Sequence, residues 1–210
     1  MRIWINAIHR RRQYGKALCL CQILNTFRLI MLIGNPLSFA IECYHEPLNT
    51  RHVFGRMCLW VAGNRLGDIT EPDCMLNPTA ANLSRLLERL STLNDPALLQ
   101  LSDREAFDFL NQVLYLDDDR TNDEIQQDAE RYCKFHFLTL GGESFERTKS
   151  FIVLVGEEVA LLFTDNVDIF HSAHLPKSEF IDVVEQFYSW FKNEELSRFA
   201  KCGGTRIDKL

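Results

Sequence analysis

Residues 31–42 read MLIGNPLSFAIE, and this stretch decides how the first half of the chain folds. Its GNP triplet favours a turn, because glycine permits unusual φ, asparagine tolerates left-handed backbone and proline fixes φ. After the turn, Leu37, Phe39 and Ile41 alternate with smaller or polar residues, which is the period-two pattern of a half-buried strand. The pattern predicts a folded domain that begins at about Met31 and opens with β-structure.

The next segment predicts a β-hairpin. Residues 52–61 are rich in Val, Phe, Met, Leu and Trp, and Gly63 and Asn64 follow as a pair suited to a tight turn. Residues 65–69 form the predicted return strand. Within it, Gly67 marks either a bulge or the close approach of another backbone.

Helical periodicity replaces this alternation after Pro78, and Thr79 is the predicted cap. The leucines that follow form one apolar stripe at helical spacing: Leu83, Leu86, Leu87, Leu90 and Leu93. Two capping boxes, in which Ser or Thr precedes Glu by three residues, begin at Ser102 and Thr121. They predict two more helices, the second over about 122–132.

The remaining elements complete an α+β pattern. Asp95 before Pro96 reads as a further helix start, with proline at the first helical position. Strands are predicted at 134–140, 150–155, 159–164 and 167–171, the middle two as a hairpin around Gly156, and Ser178 caps a final helix. This order predicts one α+β domain over 31–195, with a mainly antiparallel sheet of about five to six strands packed against helices. A flexible tail is expected over 196–210.

The charge changes sign near Met31. Residues 1–30 contain no acid, and their basic residues are Arg2, Arg10, Arg11, Arg12, Lys16 and Arg28. Residues 31–210 carry 17 bases against 29 acids, a net charge of −12. The first segment is a poor signal peptide or membrane span, because polar residues interrupt its apolar stretch and it lacks a clear cleavage site. We expect an upstream extension there, with an amphipathic surface-binding helix as the alternative.

The composition indicates a globular protein of a reducing compartment. Apolar residues make up 46% and charged residues 25%, which argues against disorder and against a membrane protein. The seven cysteines are odd in number, scattered and never arranged as C-x-x-C, so neither a disulfide framework nor a zinc site is expected. Cys58 lies in an apolar run and is expected to be buried. This usage predicts a cytoplasmic location.

No local signature of catalysis or metal binding stands out. His171 and His174 are predicted to lie in a loop without a carboxylate or cysteine at ligand spacing, so no metal site is expected there. Asp117, Asp118 and Asp119 lack the alternating spacing, central glycine and terminal glutamate of a calcium loop. The sequence therefore predicts a protein without catalytic residues, cofactor or metal.

An acidic stretch is the best candidate for contacting a partner. Residues 117–130 contain seven carboxylates against Arg120 alone. The residues predicted to bind a basic partner are Asp117, Asp118, Asp119, Asp123, Glu124 and Asp128. Each of them alone reads as part of a solvated helix face. Residues 31–210 have a net charge of −12, and together with it these six carboxylates favour fast and selective association with a basic protein. The same negative charge argues against binding to nucleic acid or to membrane surfaces.

The opening motif carries a family resemblance. The matching residues are Met31 to Pro36, then Phe39, Ala40 and Ile41, and in the hairpin Trp60, Gly63, Gly67 and Asp68. In these residues the chain resembles bacterial immunity proteins of the Imm type, family forty-two, over most of 31–195. The family commonly has Asp where this chain has Asn35, and it usually starts at the methionine that corresponds to Met31. The resemblance supplies no catalytic residues.

The resemblance implies an antitoxin of a polymorphic-toxin or contact-dependent inhibition system. Such a protein would bind its cognate toxin domain in the cytoplasm and block it by stoichiometric occlusion. The acidic charge favours a basic toxin. An adaptor or chaperone for a secreted effector is the alternative, since it would also be small and acidic, and an enzyme with a dispersed active site is a third hypothesis.

Overall fold

A computed structural model describes residues 30–46, 52–116, 119–138, 142–165 and 167–201. The first half contains β1 (Ile30–Gly34), β2 (Phe39–Glu46), β3 (Phe54–Val61), β4 (Asn64–Leu66), β5 (Cys74–Met75), α1 (Leu76–Arg89) and α2 (Asp103–Tyr115). The second half contains α3 (Asn122–Tyr132), β6 (Ser150–Val155), β7 (Glu158–Thr164), β8 (Phe170–Pro176) and α4 (Lys177–Lys201). No helix within these described ranges combines the length and apolar character needed to cross a bilayer.

The strands divide into two antiparallel sheets, and the fold class is α+β as predicted. The larger sheet has five strands in the order β1-β2-β3-β4, with β5 also paired to β3. The smaller has three strands in the order β6-β7-β8. The strands were expected to form one sheet. They form two because, among the described strands, β6, β7 and β8 pair with each other as a meander and with no strand of the larger sheet.

Helices α1 and α4 pack against strands of the larger sheet, and α2 packs against the smaller one. Phe39 of β2 contacts Phe180 of α4, with ring centroids 5.1 Å apart. Phe107 of α2 lies 5.4 Å from Phe151 and 5.1 Å from Phe170, measured between ring centroids. Because α4 also contacts β7 and β8, it joins the two sheets into one core.

The first strands differ from the prediction at their ends. Leu37 is 80% exposed and lies in the turn, so β2 begins at Phe39. The return strand ends at Leu66 instead of reaching residue 69. Gly67 has φ +97°, and a Cβ there would lie 2.6 Å from the ring of Phe145. The predicted close approach at Gly67 is confirmed, although a phenylalanine side chain makes the closest contact.

Both capping boxes are confirmed, while the predicted helix starts at Thr79 and Asp95 were wrong, as was the cap of the last helix described below. Ser102 and Thr121 cap α2 and α3 with reciprocal hydrogen bonds. Helix α1 begins at Leu76, so Pro78 lies in its first turn, where a missing N–H costs nothing. Asp95 accepts a hydrogen bond from the Ala97 N–H, but only a short 3-10 helix, Leu98–Gln100, follows.

In the last third of the chain, three elements differ from the prediction. The predicted strand at 134–140 is absent from its described part, which has a 3-10 helix and a single bridge from His136 to Phe151. The edge strand is Phe170–Pro176 and not 167–171, since Asp165 closes a turn by accepting hydrogen bonds from the N–H groups of Val167 and Ile169. Helix α4 begins at Lys177, one residue before the predicted cap.

The expected flexible tail is helical in its first part. Helix α4 continues to Lys201, and Arg198 is only 5% exposed. Its guanidinium donates hydrogen bonds to the carbonyl oxygens of His52 and Glu46, at 2.8 and 2.6 Å. Strand β1 begins one residue before Met31, whereas residues 1–29 and 202–210 lie outside the described ranges.

Candidate functional site

The acidic stretch lies at the start of α3 and just before it. Asp119 is exposed ahead of the helix, and Asp123 and Glu124 are exposed in its first turn. Asp128 lies one turn further along and is half-buried. Asp117 and Asp118 fall outside the described residues. The structure thus places Asp119, Asp123, Glu124 and Asp128 on one short helix and its approach.

Glu124 holds the beginning of α3. Its carboxylate accepts hydrogen bonds from the N–H and the hydroxyl of Thr121, both at 2.8 Å. The Thr121 hydroxyl in turn accepts from the Glu124 N–H at 3.4 Å. This arrangement satisfies two N–H groups that a helix start leaves unpaired. Glu124 therefore shapes the acidic surface in addition to contributing charge to it.

Asp128 fastens α3 to α2 through Arg120. The Arg120 guanidinium donates to Asp128 Oδ2 at 2.6 Å. It also donates to backbone carbonyls of the last turns of α2, at Gln112, Val113 and Leu116. A cation at these carbonyls is favourable because the C-terminal end of a helix carries partial negative charge. The only base in the acidic stretch thus fixes the two helices together.

The other end of α3 is fastened by Asp95 and Tyr132. Asp95 is 6% exposed and accepts hydrogen bonds from Arg131 Nε at 3.0 Å and Nη2 at 2.9 Å. Burial raises the pKa of Asp95, but hydrogen bonds from Ala97 and Arg131 outweigh it and hold that pKa below its usual value. The rings of Tyr132 and Phe109 lie 5.1 Å apart. Because both ends are held, the acidic surface is preorganised.

Apolar side chains are exposed on the same helix pair. Tyr115 and Leu116, at the end of α2, are 37% and 51% exposed, and Ile125 of α3 is 39% exposed. Exposed carboxylates and exposed apolar side chains on the same helix pair are what a protein interface needs, since the apolar groups supply burial and the charges select the partner. We call Tyr115, Leu116, Asp119, Asp123 and Ile125 the α3 surface.

The two histidines considered as metal ligands are not in a loop. His171 and His174 lie on β8, where residues three apart face opposite sides of the sheet. Each histidine lies within hydrogen-bond distance of a carboxylate, which was not predicted from the sequence. Asp165 Oδ2 lies 3.1 Å from His171 Nε2, and Asp103 Oδ1 lies 3.0 Å from His174 Nε2. In the parts of the chain that the structure describes, no group of three His, Cys, Asp or Glu residues could hold a metal ion.

The buried cysteines are poorly suited to nucleophilic chemistry. Cys43, Cys58 and Cys74 are buried. Burial, followed by the nearby Glu42 carboxylate, raises the pKa of the Cys58 thiol to about 12, and burial raises that of Cys43 still further. A thiol that stays protonated at neutral pH is a weak nucleophile. The burial of Cys58 confirms the prediction.

An edge strand of the smaller sheet was predicted at 167–171, but its extent over Phe170–Pro176 was not. The strand lies beside Leu99 and Leu101, which are 42% and 38% exposed. The register of a strand and the cover over its edge depend on residues far away in the chain. The segment from His171 to His174 was interpreted as a loop.

Comparison with solved structures shows that this fold is shared by an immunity protein. A match is the crystal structure of CdiI from Burkholderia dolosa AUO158, with a TM-score of 0.54 and 20% sequence identity. The alignment covers 76% of this chain and 99% of that one. At this identity the likeness establishes the fold alone. A comparison with curated protein sequences gives no match.

The chain belongs to the immunity protein 42 family, whose sequence profile matches residues 31–190. The resemblance seen in the opening motif is therefore confirmed. As a member of this family the chain is an immunity protein, which binds a cognate toxin and neutralises it.

Proposed function

We propose that the chain neutralises a basic bacterial toxin without turnover, by covering the toxin's active site or substrate groove in a stoichiometric complex. The observation that carries this proposal is the α3 surface, where exposed acidic and apolar side chains lie on two helices held rigidly together. Residues 31–210 carry a net charge of −12, so the surrounding field adds to the attraction for a cationic partner.

The two roles within the acidic stretch are different. Asp119 and Asp123 are exposed and are the residues we expect to meet the toxin. Glu124 and Asp128 hold the helix in place through Thr121 and Arg120. Asp117 and Asp118 remain predicted contacts. The site of action is the cytoplasm, in keeping with the scattered cysteines of the chain.

Charge reversal tests the α3 surface. The double variant D119K/D123K is expected to slow association with the cognate toxin domain at least tenfold at low salt, with little change in the melting temperature, because rim charges act mainly on the association rate. Association is measured by stopped-flow or surface plasmon resonance at two salt concentrations.

The matched control is D182K/E185K, which makes the same charge change on the exposed face of α4. It is expected to slow association much less than D119K/D123K does. Equal association rates for the two double variants would remove α3 from the interface. If the wild-type chain aids delivery of the toxin but does not abolish its toxicity, the adaptor or chaperone hypothesis replaces neutralisation.

A further inference from the structure

The hydrogen bonds at the two ends of β8 fix which of its backbone groups face outward. The Asp165 N–H donates to the Ile169 oxygen at 3.0 Å, and the Lys177 N–H donates to the Glu157 oxygen at 2.9 Å. In an antiparallel pair, every second residue exchanges hydrogen bonds with its partner, and the residues between point away. Odd-numbered residues of β8 therefore bond to β7. The N–H and C=O groups of Phe170, Ser172 and His174 point away from it.

These outward groups form an open edge in the part of the chain that the structure describes. No described residue other than those of β7 pairs with β8, and no hydrogen bond reaches the backbone of Phe170, Ser172 or His174 from elsewhere in those ranges. The opposite edge is covered, because the Leu154 N–H donates to Leu93 and the Phe137 N–H donates to Ser150. Long open edges are uncommon in proteins, since they pair readily with other chains.

A small pocket lies beside the same strand. Its volume is about 90 Å³, and it lies over the α2 side of the sheet, lined by Val153 and Val155 of β6, Ala160 and Leu162 of β7, and Leu99, Leu101 and Ala106. His174 is the residue of β8 that lines it. Pockets for small-molecule ligands usually measure roughly 300–1,000 Å³. The pocket therefore suits one aliphatic side chain, which a strand laid along β8 would insert beside His174.

Three carboxylates lie near the edge. Asp103 and Glu158 lie 3.0 and 3.7 Å from His174, and Asp165 lies 3.1 Å from His171 at the other end of the strand. The nearby bases are Arg104, which is paired with Asp108 at 2.8 Å, Arg65, which lines a shallow pocket with Asp165 and His171, and Lys177, which follows β8. A segment with lysine or arginine next to an apolar residue would match both the carboxylates and the pocket.

We propose that β8 is a docking edge on which an extended basic segment of the toxin adds as a fourth strand of the smaller sheet. Main-chain hydrogen bonds to Phe170, Ser172 and His174 supply affinity, and the pocket at Leu99 and Leu101 selects an apolar side chain. This inference rests on the proposed neutralisation of a basic toxin. Helix α2 contacts both α3 and β8, so a toxin that spans α2 would meet both surfaces.

The test combines a proline variant with amide hydrogen exchange. Ser172 is exposed, and its N–H is one of the outward donors, so S172P removes a docking hydrogen bond without removing one to β7. S172P is expected to weaken toxin binding at least tenfold. The control S172A, which keeps the N–H, is expected to bind like the wild type. Circular dichroism and melting temperature report whether S172P is folded.

Hydrogen exchange on the wild-type chain gives an answer even if S172P fails to fold. In the complex with the toxin domain encoded beside this chain, the amides of Phe170, Ser172 and His174 are expected to become protected. A stable complex in which these amides exchange as in the free chain would overturn the docking edge and leave neutralisation intact. Protection that rises with concentration and without toxin would assign the edge to a second copy and also overturn the proposal. Failure to form any complex would overturn neutralisation itself.

Discussion

At the scale of single residues, two contacts that the sequence did not predict join side chains to groups distant in the chain. Asp95 was predicted to start a helix, and it instead accepts three hydrogen bonds from Arg131, 36 residues away. Arg198 was predicted to lie in a flexible tail, and it reaches two carbonyl oxygens near the end of β2. Sequence patterns report local turns and caps, and they carry no information about such long-range pairs.

Replacing Asp95 by asparagine is expected to lower the free energy of unfolding by about 1–3 kcal/mol, because the buried site keeps its donors and loses the charge that they stabilise. The matched control is D182N, which changes an exposed carboxylate and is expected to stay within about 0.5 kcal/mol of the wild type. Urea titration at neutral pH measures both. Equal stabilities of D95N and D182N would show that the Asp95–Arg131 pair contributes nothing.

Asp95 also makes the free energy of unfolding depend on pH. The pKa of Asp95 is lower in the folded chain than in the unfolded one, so the unfolded state takes up a proton first as the pH falls. The stabilisation is fully present above the unfolded value of about 3.9. It is lost as the pH falls through the lower folded value. The difference in stability between wild type and D95N should therefore shrink below about pH 4, as urea midpoints measured between pH 2.5 and pH 6 would show.

At the scale of secondary structure, elements with a complete local signature were predicted correctly. The capping boxes at Ser102 and Thr121 specify α2 and α3, since each cap is formed within four residues. The segment 134–140 was predicted as a strand from its apolar residues. Phe135, Phe137 and Leu138 are indeed buried, but they lie in an irregular segment of the core. Burial of aromatic and aliphatic residues does not distinguish a strand from an irregular segment of the core.

Arg120 is the residue that makes α2 and α3 one unit. R120A is expected to destabilise α3 by about 1–3 kcal/mol, because three carbonyls of α2 and the Asp128 carboxylate lose a charged donor. Amide exchange along 122–132 should accelerate accordingly. The control R104A removes an exposed pair with Asp108 on the surface of α2, and it should leave exchange in α3 unchanged. Unchanged exchange in R120A would mean that the capping box, the Asp95–Arg131 pair and apolar contacts hold α3 without Arg120.

At the scale of the whole molecule, the sequence predicted the class of fold, the acidic character and the family. The division into two sheets could not be predicted, because strand partners are set by contacts between residues far apart in the chain, and the described β6, β7 and β8 pair with no strand of the larger sheet. The open edge at β8 follows from that division. The α3 surface and the β8 edge both adjoin α2, β8 near its start at Asp103 and Phe107 and the α3 surface at its end.

Neutralisation by occlusion has a defined stoichiometry, and one titration tests it directly. Purified toxin at a concentration well above the dissociation constant is mixed with increasing amounts of the full chain, and the remaining toxin activity is measured. The account predicts a linear fall that reaches zero at one chain per toxin. Loss of activity at far less than one chain per toxin would indicate turnover, and activity that persists in excess chain would contradict neutralisation.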